Sequence, residues 1–221
     1  MLVTGLWSHL AYADAPHHPT IAAQVRVFDD AVATARAAGL TEARRHLANS
    51  AATVALPETW YDLVRPGVAI YGLDPLGGDP ARYGLRPAMT VQARVALTKR
   101  VPAGVGVSYG HTYSPQRETT LALVPAGYAD GVPRAAGNRA PVLAAGAQRT
   151  IAGRVCMDQF VLDVGDDPVA AGDPVVLWGP GADGEPTAQQ WADAVDTIHY
   201  ELVTRIGGRF RRRYVGAAGT D

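Results

Sequence analysis

Two residues that carry much of protein chemistry are almost missing from this sequence. Cysteine occurs once, at Cys156. No intrachain disulfide framework is available, which favours a reducing compartment and makes the cytoplasm the expected location. Lysine also occurs once, at Lys99, so of the 20 Lys and Arg residues 19 are arginines. Any lysine chemistry on this chain must use Lys99. Neither sign of charge is in excess: the net charge is −1 and the pI about 6.6, which gives no basic field for nucleic acid. The one dense basic run, RFRRRYV (209–215), alternates with apolar residues and reads as a strand with a solvated face. No apolar run approaches the roughly 18 residues of a membrane span. The opening MLVTGLWSHLAYADAP has no basic n-region, and His9 interrupts its apolar run, so it reads as a core strand and its loop rather than a signal peptide. The six histidines show no metal-ligand spacing, and a single cysteine with no second Cys or His nearby is not a zinc site.

What is present is a packed globular composition. With 221 residues, 48% hydrophobic and 19% charged, the chain has room for one large domain or two small ones. The first third alternates strand and helix signals. LVTGLWSHL (2–10) reads as a buried strand. TIAAQVRVFDDAVATARAAGL (20–40) places Ile21, Val25, Phe28, Val32 and Ala35 at helical spacing, with Thr20 as cap and Gly39 as stop. EARRHLANS (42–50) is strand-like and leads into a short helix from Ser50 that Pro57 stops. DLVRPGVAIYG (62–72) is strand-like again. This alternation predicts parallel α/β architecture.

The Gly- and Pro-rich stretch 72–87 reads as a junction. Beyond it, short strand signals recur at 88–101, 119–129, 140–146, 150–164 and 174–179, separated by turns, with one helix at 187–197 and a last strand in RRRYVG. Two or three strand–helix units cannot close a (β/α)8 barrel. The expected fold class is therefore α/β plus all-β. Residues 1–78 form the last units of an incomplete (β/α)8 barrel, and residues 79–221 form a mainly β, barrel-like C-terminal domain.

Several residues stand out chemically. Ser50 in HLANSAA lies where a strand passes into a helix, and the turn at Gly67 and Val68 ends the next strand-like run. Together these are either an anion site or an ordinary helix cap and an ordinary turn. Arg65 in an apolar run needs a partner, either a helix carboxylate or a ligand. His9 is either a core histidine or a site residue. Cys156 could serve as a nucleophile only with a distant base such as His111 or His199. VSYGHTY (107–113) sets Tyr109 and Tyr113 four residues apart, and GYADG and IHYEL add Tyr128 and Tyr200. Tyrosine is a poor base at its ordinary pKa of about 10 and becomes one only beside positive charge.

SHLAYAD, ANSAA, VRPGVAIYG, VSYGHTY, GYADG, GRVCMDQ and IHYEL, in this order, resemble the later part of bacterial alanine racemases. The resemblance implies a barrel that binds pyridoxal phosphate, a β domain, and a homodimer with shared active sites. It implies L-alanine and D-alanine as substrates, D-alanine being needed for peptidoglycan, and no nucleic-acid, membrane or metal partner. It makes Tyr109 one of two bases on opposite faces of the substrate. It makes Arg65 the partner of the pyridine nitrogen and His9 the residue linked to that arginine. Ser50, Gly67, Val68 and Tyr200 become phosphate ligands, and Met157 and Asp158 the substrate-carboxylate region. Tyr128, Arg134, Arg154, Asp14 and Ile198 become a narrow entryway. The family's other base, the lysine that carries the cofactor, falls upstream of this chain's first residue by the same comparison. The chain is thus expected to be the C-terminal portion of a racemase, without the N-terminal half of the barrel. It is expected to hold pyridoxal phosphate non-covalently at most and to be inactive alone. A non-catalytic dimerisation module derived from a racemase, and a related racemase of broader specificity, are the alternatives.

Overall fold

The computed structural model describes residues 2–216. The chain divides after Ala88 into two compact units. In the first, β1 (Gly5–Trp7) and β2 (Arg44–His46) pair in parallel, Gly5 opposite Arg44 and Trp7 opposite His46. Helix α1 (Thr20–Ala37) connects them, and α2 (Ser50–Ala55) follows β2. Ile21, Phe28 and Val32 recur on one face of α1 and are buried with Leu10, Leu47 and Leu56. The helix start departs from expectation. Thr20 is the first helical residue, and its N–H donates to the His18 ring at 3.2 Å, so an imidazole takes the capping role. The helix stop is as the sequence reads. At Gly39 φ is +88°, Gly39 N–H donates to Arg36 O and Leu40 N–H to Ala35 O, the paired bonds of a glycine C-cap.

The run of barrel units expected over 1–78 does not form. The first unit has a single open pair of strands. β1 is three residues long and Trp7 is 66% exposed, so 2–10 is not a buried strand. Residues 62–72 run beside β2 but do not join it as a strand. Among the described residues the only backbone-to-backbone bonds between the two segments are Asp62 N–H to Arg45 O and Arg65 N–H to Ala48 O. Pro66 has no N–H to continue the ladder, and the chain coils into a 3-10 turn at Val68–Tyr71. Gly72, at φ +73°, ends that turn where a Cβ would stand 1.7 Å from Arg86 O.

The second unit is not an all-β barrel. Its strands are β3 (Val91–Arg94), β4 (Leu97–Val101), β5 (Thr119–Val124), β6 (Pro141–Ala144), β7 (Ala147–Thr150), β8 (Phe160–Gly165) and β9 (Pro174–Trp178). Among the described residues they form two antiparallel sheets, β3-β9-β6-β7 and β4-β5-β8. The run 88–101 is two strands. Val95 N–H donates to Asp173 O and Ala96 N–H to Leu123 O, so adjacent peptides serve different sheets. Ala145 and Gly146, both at positive φ, turn β6 into β7. Along β8, Phe160, Leu162 and Val164 are buried in strict alternation.

Helix α3 (Ala188–Val195) begins with a reciprocal cap, Thr187 with Gln190, and buries Trp191 against Trp178. Helix α4 (His199–Arg205) follows it and was not foreseen. Among the described residues nothing pairs with 211–216 as a strand, and Tyr214 and Val215 are exposed. Among the described residues no helix is long and apolar enough to cross a membrane, and no group of three or more His, Cys, Asp or Glu could hold a metal ion.

Candidate functional site

In the first unit the chemistry gathers at the carboxyl ends of β1 and β2. Arg65 lies there under neutral acceptors only. Its Nη1 donates to His46 O at 2.8 Å and faces His46 Nδ1 at 3.0 Å. Its Nη2 donates to Ser8 O at 2.8 Å and lies 3.5 Å from His9 Nδ1. The guanidinium also sits over the Trp7 ring. No carboxylate pairs with it among the described residues, which sets aside the helix ion pair. Burial alone draws the Arg65 pKa downward, while His46 is lowered first by burial and then by the Arg65 charge. Both effects favour the neutral ring, whose Nδ1 faces the guanidinium as an acceptor. It was missed in the sequence, where the only signal was a histidine ending a strand-like run just before LANS.

Ser50 is not the helix cap. Asn49 is: its Oδ1 accepts from Ala52 N–H at 3.0 Å. The Ser50 hydroxyl, 3% exposed, instead accepts from Gly67 N–H at 2.7 Å and Ala69 N–H at 3.3 Å. Backbone donors from the turn after Pro66 thus converge on one oxygen. The nearest atom to a Cβ built on Gly67 is that same oxygen, at 4.0 Å, which leaves the turn open to a ligand. Asp14 is exposed in the loop before α1.

In the second unit, Tyr109 stands at the edge of an open cleft of about 580 Å³. The cleft is lined by Ser108, Gly110 and His111 on one side and Cys156, Met157, Asp158 and Gln159 on the other. Tyr109 is 71% exposed, and its loop is contorted, with positive φ at Ser108, Gly110 and His111. The two tyrosines of VSYGHTY have different work. Tyr113 turns inward and donates to Asp163 at 2.6 Å, its own pKa pushed up to about 12, first by burial and then by that carboxylate. Asn138 holds Thr112 O, and Ser108 Oγ donates to Arg154 O at 2.7 Å. Tyr109 is left projecting into the cleft.

Met157 and Asp158 form the opposite wall as a turn, not a strand, which corrects the reading of 150–164. Tyr128 and Ala129 N–H donate to Cys156 O and Met157 O, so the GYADG turn packs directly behind it. The Arg154 guanidinium lies over Gly110, about 3.4 Å from where its Cβ would be. Arg134 is exposed at the start of a 3-10 turn, Ile198 is exposed just ahead of α4, and Tyr200 lies within α4. Asp130 and Arg209, which the sequence did not single out, prove central: a 2%-exposed carboxylate bonded to an arginine from the basic run. The available signal was an acid enclosed by glycines and an arginine following Gly207 and Gly208. Lys99 is exposed on β4 and does not line the cleft.

A parallel strand pair with donors at its carboxyl ends, followed by a unit of antiparallel sheets and helices with an open tyrosine cleft, defines the class: a mixed α/β protein whose polar groups gather at strand ends and loops. The comparisons name the family. Residues 1–75 match the family model "Alanine racemase, N-terminal domain", and residues 88–214 match "Alanine racemase, C-terminal domain". The alanine racemase of Frankia casuarinae is 63% identical over 215 residues, a match covering 96% of this chain and 56% of that protein. The crystal structure of alanine racemase from the D-cycloserine producer Streptomyces lavendulae matches at TM-score 0.93 and 58% identity, covering 97% of this chain and 57% of that one. The alanine racemase of Bartonella henselae with covalently bound pyridoxal phosphate matches at TM-score 0.82 and 31% identity, covering 96% and 56%. The chain belongs to the alanine racemase family.

These matches correct the view of the chain as the C-terminal portion alone. Both family domains are represented, and the resemblance runs over nearly its whole length. The fold class changes with it: an open α/β half with its helices, continuing into mixed sheets and helices, replaces a barrel remnant plus a separate β barrel. The chain spans 56% of the length of the Frankia relative.

Proposed function

We propose that this chain supplies several of the working residues of a pyridoxal-phosphate-dependent alanine racemase that interconverts L-alanine and D-alanine. The observation that carries the reading is Arg65. Four of its five N–H groups are directed at neutral acceptors, its Nε–H takes no part in those bonds, and no carboxylate offsets its charge. Such a guanidinium suits a ring nitrogen that is to accept a hydrogen bond without receiving a proton. The Gly67 and Ala69 N–H groups that converge on Ser50 Oγ suit a phosphate at this turn, where Ser50, Gly67 and the adjoining Val68 are assigned as its ligands. When bound, pyridoxal phosphate supplies an electron sink for the carbanion left at the alanine Cα.

Tyr109 then moves the Cα proton on one face. Its exposure suits a group that serves the cofactor of a partner subunit in a homodimer. Met157 and Asp158 present backbone and side chain across the cleft from it, where the substrate carboxylate is oriented. Arg154 and Tyr128 narrow the approach. Racemisation needs a second base on the other face, and exposed Lys99 is not placed to be that base on this chain. The test is a binding titration with pyridoxal phosphate, with deuterium wash-in at the alanine Cα as second readout. Expected are binding that inorganic phosphate competes away and that weakens in Ser50→Ala, wash-in that is lost in Tyr109→Phe, and no borohydride-stable adduct on Lys99. Absence of both binding and wash-in, or a stoichiometric Lys99 adduct, overturns the reading.

A further inference from the structure

The two walls of the tyrosine cleft are held by different means. The Tyr109 wall is pinned by Tyr113 on Asp163 and by Asn138. The opposite wall, residues 156–159, closes on itself through one bond, Cys156 N–H to Gln159 O at 2.8 Å. It leans on the Tyr128 turn so closely that a Cβ on Gly127 would stand 2.3 Å from Met157 O. The Tyr128 turn is in turn shaped by Asp130, whose carboxylate accepts from Gly127 N–H at 2.9 Å. That carboxylate is gripped by Arg209 through its backbone N–H, Nε and Nη2, at 3.1, 2.9 and 2.6 Å. The same Nη2 donates to Asp158 O at 2.7 Å. Close packing leaves this junction little freedom, since a Cβ on Gly208 would lie 2.9 Å from Asp130 Oδ1.

We propose that Arg209 is a positioning residue for the cleft. By bridging the buried Asp130 carboxylate and the Asp158 carbonyl, it fixes the Met157–Asp158 turn against the Tyr128 turn and so sets the opening across from Tyr109. The inference deepens the racemase reading and rests on it for the substrate that the opening admits. An arginine is needed because its fork reaches a carboxylate and a carbonyl in one geometry, whereas a lysine offers a single point charge.

Cys156 reports on this wall, since its thiol lines the cleft and lies 3.4 Å from Ser108 Oγ. The experiment follows iodoacetamide alkylation of Cys156 by mass spectrometry in the purified chain, with circular dichroism and thermal midpoints measured alongside. Arg209→Ala and Arg209→Lys are compared with wild type and with Arg100→Ala, which breaks an exposed ion-pair cluster elsewhere in the same unit. Expected is alkylation about tenfold faster in Arg209→Ala, intermediate in Arg209→Lys, and unchanged in Arg100→Ala. Wild-type reactivity in a folded Arg209→Ala overturns the proposal. So does equal acceleration by Arg100→Ala at a matched loss of thermal midpoint. If Arg209→Ala does not fold, Arg209→Lys decides: an intermediate rate supports the proposal and a wild-type rate overturns it. No cofactor or alanine enters this assay, so its failure leaves the racemase reading standing, and a failure to bind pyridoxal phosphate leaves this result readable.

Discussion

Arg65 and Arg209 are the same residue set in opposite surroundings. Arg65 is held by carbonyls and imidazole rings and meets no carboxylate. Arg209 is locked to a buried carboxylate by three of its donors. The first keeps its positive charge unmatched by any acid among the described residues, part-buried at the end of a strand pair. The second has its charge matched inside the protein and presents mainly shape. An arginine placed among neutral acceptors is available to a ligand, and one bonded to a buried acid belongs to the scaffold.

The contrast can be pressed hardest at Asp130. Asp130→Ala leaves Arg209 and the Gly127 N–H without their acceptor and should cost about 3 kcal/mol in denaturant unfolding. Arg209 first of all holds the Asp130 pKa down to about 2, against the opposing effect of burial. Its ordinary value is 3.8. The folded protein therefore binds that proton less readily than the unfolded one. The stabilisation is complete above the ordinary value and is lost as pH falls toward 2. An acid-unfolding curve should steepen in that window for wild type and flatten for Asp130→Ala.

A smaller effect separates the two cleft tyrosines. Tyr113→Phe removes the bond to Asp163 and should cost about 1 kcal/mol of stability, while Tyr109→Phe should cost less than about 0.5 kcal/mol because its side chain is exposed. Equal losses would mean that the division between anchor and reacting group is wrong.

The smallest signal belongs to Arg65. His46 should titrate below its ordinary 6.5 by NMR, and Arg65→Met should move it upward without restoring it fully, because burial is the larger cause. The His46 contribution to stability is present above that ordinary value and fades as pH falls through the lowered one.

Much of the candidate geometry was legible because short motifs keep chemistry-bearing residues close in sequence. VSYGHTY and CMDQ line one cleft, GYADG packs behind it, and HLANS and RPGV share one set of donors. What failed to show was register and packing. The apolar residues of DLVRPGVAIYG fit a strand by composition, yet Pro66 removes the donor a third strand would need. The run 88–101 reads as continuous because nothing in its pattern marks the change of sheet at Val95. TIAGRVCMDQF has strand-forming residues, but only its ends join the sheets; in its middle the Cys156 and Met157 carbonyls are taken by the Tyr128 turn. The pair Asp130–Arg209 is separated by 79 positions, and only folding brings it together.

Val95 and Ala96 also give the β unit a mechanical character. Neighbouring peptides bond to Asp173, just ahead of β9 in one sheet, and to Leu123 in the other. The two sheets are therefore coupled across a single residue step, with no loop between them to act as slack. A tug on either sheet is felt by the other within one peptide length. An inserted residue at that step would turn β4 over, facing its inward side chains to the solvent. The junction behaves as a stiff joint, and it ties the sheet that holds Asp163, the anchor of the tyrosine loop, to the rest of the unit.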